Sequence, residues 1–105
     1  MTNLTLMPLT GAASTGTAYN IGTSITQANF QMTPQASAGF SGTIVLEGSS
    51  SPSPTVNDWF NLATLVFSAH NSTVDFNMYF TNTPWIRARL PAAGTQGAIS
   101  VYMAY

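Results

Sequence analysis

Charged side chains are so few in this sequence that any chemistry must come from a handful of groups. The two cations are Arg87 and Arg89, and the three carboxylates are Glu47, Asp58 and Asp75. Carboxylates act as a general acid and base only where they converge on one reacting atom. These three lie in separate segments, and no spacing brings two of them together. We therefore predict no catalytic residues and expect that the protein is not an enzyme.

Metal ligands and nucleophiles are equally scarce. His70 is the single histidine, it lies in a predicted surface turn, and the chain has no cysteine. A usual zinc site needs several His, Cys or carboxylate ligands, so one histidine does not suffice. We expect no metal site and no cofactor.

Arg87 and Arg89 are two residues apart and share a strand face with Trp85. One interpretation is a small anion or sugar platform, in which arginine forks and the indole act together. The other is a structural ion pair across strands with Glu47 or Asp75, with the arginine stems covering the tryptophan. We favour structural pairing of Glu47, Arg87 and Arg89, because a chain with so little charge tends to neutralise it internally.

The aromatic side chains divide between the core and the surface. Tyr and Trp are enriched at subunit interfaces, since one end of each side chain is apolar and the other hydrogen-bonds. We predict Tyr79, Tyr102, Trp59 and Trp85 as interface candidates.

These residues must be positioned by β-strands, because no window has the apolar stripe and end caps of a helix. Weak patterns occur at Leu4–Leu9, Tyr19–Asn29 and Phe30–Gln35, and clearer alternation occurs at Thr43–Glu47, Trp59–Phe67, Thr73–Phe80, Trp85–Leu90 and Ile99–Tyr105. Short strands separated by regular turn signals indicate an all-β protein, a sandwich or barrel of antiparallel sheets.

The strongest hydrophobic signal is the strand, loop and strand at Gly42–Phe67. Both faces of Trp59–Phe67 are rather apolar, which is typical of a central strand. We expect Thr73–Phe80 and Trp85–Leu90 to be the sheet neighbours of this hairpin. The loop Ser49–Asn57, stiffened by two prolines, is expected at the surface.

The 105 residues suit one domain. We predict an N-terminal arm and short strands at 1–38, packed on or extending from a β-sandwich core at 39–105, with a flexible segment at Gly11–Thr17. We expect no secretory signal and no membrane span.

Charged residues make up only 5% of the chain, and the net charge is −1. Two arginines give no footprint for a polyanion, so we expect neither free nucleic acid nor a membrane surface as a partner. Near-neutrality favours a protein that works inside a larger assembly.

Several motifs together resemble those of small virion proteins of tailed bacteriophages. They are Ile44–Ser49, Asp58–Leu62, Pro84–Leu90 and Gly97–Val101, within a similarity that covers Gly39–Tyr105. Many of those proteins have an Asp-Gly turn after Glu-Gly-Ser, where this chain has the loop Ser50–Asn57. The resemblance implies a jelly-roll-like β-sandwich and a structural role.

The leading role that the resemblance implies is a capsid decoration (cement) protein. It would be a homo-oligomer, such as a trimer, bound to the major capsid protein or other virion proteins. It would be made in the host cytoplasm and located in the virion. The first alternative is a tail, baseplate or fibre-associated module. A further alternative, of another class, is a carbohydrate-binding or adhesin domain that uses Trp85, Arg87 and nearby tyrosines.

Overall fold

Two antiparallel β-sheets make up the described part of the chain. The computed structural model describes residues 2–35 and 39–105, and its ordered elements there are all strands. In chain order they are β1 (Asn3–Thr10), β2 (Ser14–Thr15), β3 (Tyr19–Asn20), β4 (Gln27–Pro34), β5 (Phe40–Ser49), β6 (Phe60–His70), β7 (Val74–Tyr79), β8 (Trp85–Leu90) and β9 (Ile99–Ala104). The predicted all-β fold class is confirmed.

The chain passes back and forth between the two sheets. The first sheet has the order β1-β9-β4-β7, and the second has the order β2-β8-β5-β6, with β3 also paired to β8. Because β2 and β3 are two short segments along the same edge of β8, each sheet has four strand positions. Eight positions connected in this way form the double-sheet arrangement of a jelly roll.

One hydrophobic core lies between the sheets. The predicted inward faces of β8 (Ile86, Ala88, Leu90) and of β9 (Ile99, Val101, Met103) are buried. The core also takes side chains from the other long strands and their loops: Leu6, Met7, Ile21, Ala28, Phe30, Met32, Phe40, Ile44, Leu46, Phe67 and Phe80. Each of the longer strands therefore gives one face to the core, although Val74, Phe76 and Met78 of β7 are only partly buried against it.

Two expectations about the central hairpin are wrong. The strand after the loop, β6, was expected to be central, but it is an edge strand of the second sheet and pairs only with β5 among the described strands. The segment that contains β7 was expected beside this hairpin, but β7 pairs with β4 in the other sheet. Of the two expected neighbours, only β8 lies beside β5. Periodicity defines which residues share a face, but not which strands pair.

The first third of the chain contains strands that pair within both sheets. Ser14 and Thr15 pair with β8, and the amide of Gly16 donates to the Ala88 carbonyl at 2.8 Å. Strands β1 and β4 both pair with β9. The first third therefore contributes strands to both sheets. The predicted boundary at 38/39 adjoins residues 36–38, which are outside the described residues.

Candidate functional site

The side chains of Glu47, Arg87 and Arg89 form an ionic cluster on the outward face of the second sheet. Glu47 on β5 pairs directly with Arg87 on β8. Arg87 Nε donates to Glu47 Oε1 at 2.8 Å, and Arg89 lies with a terminal nitrogen 3.2 Å from Oε2. Each carboxylate oxygen therefore has its own arginine. Asp75, the alternative pairing partner, lies in the other sheet opposite Gln31.

Trp59 covers the ionic cluster from the loop before β6. The guanidinium carbon of Arg87 lies 4.0 Å from the centroid of the indole, in a cation–π contact. Glu47 is buried although it points away from the core. The indole thus covers the guanidinium of Arg87, and the low exposure of Glu47 strengthens a charge pair that bulk water would weaken.

The turn that carries Trp59 is held by Asp58 and Thr55. Asp58 Oδ2 accepts hydrogen bonds from the Thr55 amide at 2.7 Å and from the Thr55 hydroxyl at 2.9 Å. The Asp58 amide donates to the Thr55 carbonyl at 3.1 Å. The backbone hydrogen bond first, and then the hydroxyl, lower the pKa of Asp58 below its ordinary value of 3.8. Asp58 therefore acts as a local cap in the loop between β5 and β6.

The guanidinium group of Arg89 has a donor that is not paired within the described chain. Its Nε is buried and has no hydrogen-bond partner in the described chain. A cavity of about 250 Å³ lies beside it, lined by Ser14, Thr15 and Pro91 among others. Arginine cannot act as a base at ordinary pH, so the chemistry available to Arg89 is charge pairing and hydrogen-bond donation.

Tyr79 and Tyr102 are exposed on the outward face of the first sheet. They therefore lie in the other sheet from Trp85 and Arg87, which are on β8. Trp85 lies on β8, between Ser49 of β5 and Asn20 of β3 in the pairing register.

Beside Tyr79 and Tyr102, the outward face of the first sheet carries amide side chains that sequence reasoning did not single out. We call it the amide-tyrosine face, and its members are Asn3, Thr5, Gln27, Asn29, Gln31, Asp75, Asn77, Tyr79, Tyr102 and Ala104. A groove of about 350 Å³ runs over it beside Tyr102. The sequence indicates this polar face in β4, where Gln27, Asn29 and Gln31 occupy every second position.

His70 is the last residue of β6. Its ring lies 5.5 Å from the ring of Phe67, centroid to centroid, and its Nε2 is 3.3 Å from the Ser72 hydroxyl. Across residues 2–35 and 39–105, no three His, Asp or Glu side chains are grouped so that they could hold a metal ion. The same residues contain no helix long and apolar enough to cross a membrane.

The fold and its strand order define the class of this molecule as an antiparallel jelly-roll β-sandwich. No protein-family model matches the chain, and no curated protein matches it.

Two solved structures have a similar fold. The SPBc2 prophage-derived protein YomS matches with a TM-score of 0.66 and 13% identity, over 97% of this chain and 88% of that one. The K2 cleaved adhesin domain of Lys-gingipain (Kgp) matches with a TM-score of 0.63 and 10% identity, over 84% of this chain and 61% of that one. At such identities the likeness shows the fold alone.

Proposed function

We propose that this chain is a non-enzymatic structural protein of a tailed-bacteriophage virion, and that it acts as a capsid decoration protein. The observation that carries the proposal is the surface of β6. This edge strand spans 11 residues and has no charged side chain. Its Val66 side chain is 78% exposed, and Phe60 is exposed beside the loop.

An unguarded edge strand is a template for pairing with another chain. Proteins that remain monomeric usually place lysine, proline or an inward-pointing charge on such an edge. Here β6 has none of these. Its pairing with β5 is irregular at two points, but most of the strand is regularly paired, and the neighbouring loop adds the exposed Val56. An edge strand that a neighbouring subunit covers does not need such residues to prevent pairing with other chains.

The distribution of charge supports the same role. The ionic cluster uses three of the five charged side chains, so much of the remaining surface carries no ion. Contacts between subunits then form without the free-energy penalty of desolvating charges. Repeated, symmetric contacts are how shell proteins assemble, and we propose a homo-oligomer, such as a trimer, seated on the major capsid protein.

The phage origin within this proposal rests on two further observations. The motifs at Ile44–Ser49 and Pro84–Leu90 resemble those of tailed-phage virion proteins. A prophage-derived protein also has a similar fold. Location in the virion follows from the proposed role.

Counting copies per purified particle by quantitative mass spectrometry tests the proposal. A decoration protein is expected at hundreds of copies per particle. A handful would favour the tail, baseplate or fibre module instead. Absence from purified particles would overturn the virion role.

A second candidate function is a carbohydrate-binding or adhesin module. The observation that favours it is the exposed pair Tyr79 and Tyr102 on a polar sheet face. The likeness to an adhesin domain supports it.

A further inference from the structure

The amide-tyrosine face has a regular arrangement around Tyr102. In the pairing register, Tyr102 on β9 lies between Thr5 on β1 and Gln31 on β4. The next row along the strands places Ala104 between Asn3 and Asn29. Paired side chains on one face lie roughly 5 Å apart, and successive rows roughly 7 Å. The small Ala104 leaves a depression beside the larger Tyr102 ring, and this depression is the groove.

The polar side chains that line the groove are not used by the fold. In the described chain, no side-chain hydrogen bond is formed by Asn3, Asn29 or Gln31. Asn3 and Gln31 are exposed and Asn29 is half-buried, so solvent reaches all three. Each amide offers an N–H donor and a carbonyl acceptor side by side. The groove therefore presents paired donors and acceptors beside one aromatic ring.

We propose that this groove binds a neutral oligosaccharide, with a sugar ring over Tyr102 and its hydroxyls hydrogen-bonded to Gln31, Asn29 and Asn3. A sugar hydroxyl both donates and accepts, which matches the two functions of a side-chain amide. The electron-rich face of an aromatic ring suits the C–H groups of a sugar. Tyr102, 39% exposed, lines the groove next to the amides and is the one aromatic side chain among its lining residues.

Charge selects a neutral ligand over an acidic one. The single charged member of the amide-tyrosine face is Asp75, opposite Gln31, and both described arginines lie in the other sheet. An acidic sugar would therefore find no cation on this face and one carboxylate near it. A second copy of the chain fits less well, because the outward positions of the inner strand β4 are the amides Gln27, Asn29 and Gln31, and the centres of protein interfaces are more apolar.

The length of the face suits a chain of several sugars. Tyr79 on β7 pairs with Gln27 on β4. Tyr102 on β9 pairs with Gln31, which is four residues further along β4 on its other side. Strand spacing and rise per residue put the two tyrosines on the order of 17 Å apart. Tyr79 is 74% exposed, so it can provide a second, weaker contact for a longer oligosaccharide.

This inference rests on the second candidate function, to which it gives a site and a ligand class, and it leaves the virion role open. The two are tested separately. Copies per particle measure the virion role, and glycan binding measures this site.

The experiment is to apply the purified full chain to an array of neutral oligosaccharides, with sialylated and sulfated ones alongside. We expect binding to neutral members and no gain from acidic groups. Tyr102→Ala should weaken binding by about tenfold or more, which corresponds to ~1.4 kcal/mol. The matched control is Phe60→Ala, which removes an exposed aromatic from the other sheet and should leave binding unchanged.

Circular dichroism verifies that each variant is folded. If Tyr102→Ala does not fold, Gln31→Ala replaces it, and we expect a loss of about fivefold, as for one hydrogen bond. Binding of no neutral glycan, or binding that survives in the folded variant, would overturn the proposal. A dimer that dissociates on Tyr102→Ala without any glycan would assign the face to a second copy and would also overturn it.

Discussion

Arg87 Nε lies 2.8 Å from Glu47 Oε1, and the two residues occupy directly paired positions on β8 and β5. Their side chains meet because the strand register places them opposite each other on one face. The contact is largely withdrawn from water, with 17% of the Arg87 side chain and 9% of the Glu47 side chain accessible. The ion pair is therefore part of the packed structure on the outward face of the second sheet, and its two side chains are not freely mobile.

Arg87→Ala should lower the free energy of unfolding by about 2–3 kcal/mol, since it leaves a buried carboxylate without its closest partner. Arg89→Ala is the control, because that arginine is more exposed and its contact is longer, at 3.2 Å. We expect it to lower stability by about 1 kcal/mol or less. Urea unfolding measures both, and a loss for Arg89→Ala equal to or larger than that for Arg87→Ala would contradict this account of the ionic cluster.

Gly97 should tolerate no side chain. Its φ is +67°, and a Cβ there would overlap the carbonyl oxygen of Gly39. We expect Gly97→Ala to lower stability by about 3 kcal/mol, from left-handed backbone strain and overpacking together.

Gly22 provides the control for the glycine prediction. Its φ is +78°, but a Cβ there would meet no atom within 4 Å. Gly22→Ala should therefore lower stability by about 1 kcal/mol, from backbone strain alone. Thermal melts of the two variants separate steric overlap from strain, and equal losses would show that the approach to Gly39 does not matter.

Asp58 should titrate below its ordinary pKa of 3.8, because its carboxylate accepts two hydrogen bonds from Thr55. A lowered folded-state pKa means that the carboxylate stabilises the turn above pH 3.8. This contribution is lost as the pH falls through the lowered value. An NMR titration of the side-chain carboxyl measures it. Thr55→Val, which removes the hydroxyl and keeps the amide, should raise the pKa only part of the way to 3.8. An unchanged pKa would show that the hydroxyl does not contribute to the shift, and a full return to 3.8 would show that the amide does not.

Val66→Lys should reduce self-association while the fold persists. The substitution places a charge on an exposed position of the β6 edge, which is how many proteins block pairing with another chain. Leu9→Lys is the matched control, since Leu9 is exposed on β1 of the other sheet. Sedimentation should show a smaller assembly for Val66→Lys only. Equal behaviour of the two variants would remove β6 from the proposed interface.

The sequence was sufficient to predict the fold class and most inward faces, since alternation in segments such as Trp85–Leu90 directly reports burial. Strand partners were harder to predict. The apolar character of Trp59–Phe67 suggested a central strand, but Trp59 covers the ionic cluster and Val66 lies exposed at an edge. Apolar side chains that serve the outer face or an interface have the same pattern as those in a core.

The groove was missed for a related reason. Asn29 and Gln31 are on one strand, but Asn3 and Tyr102 reach the groove from β1 and β9, which are far apart in sequence. Sequence spacing describes one strand at a time, whereas the groove is created by pairing. The first and last strands of the chain meet only because β9 inserts between β1 and β4.

The most direct test of the virion role is to add the purified chain to phage particles assembled without it and to count the copies bound at saturation. The account predicts hundreds of copies per particle for the wild-type chain, greater resistance of the particles to heat, and reduced binding for Val66→Lys but not for Leu9→Lys. Wild-type protein that leaves the particles bare, under conditions where it remains folded, would contradict the account.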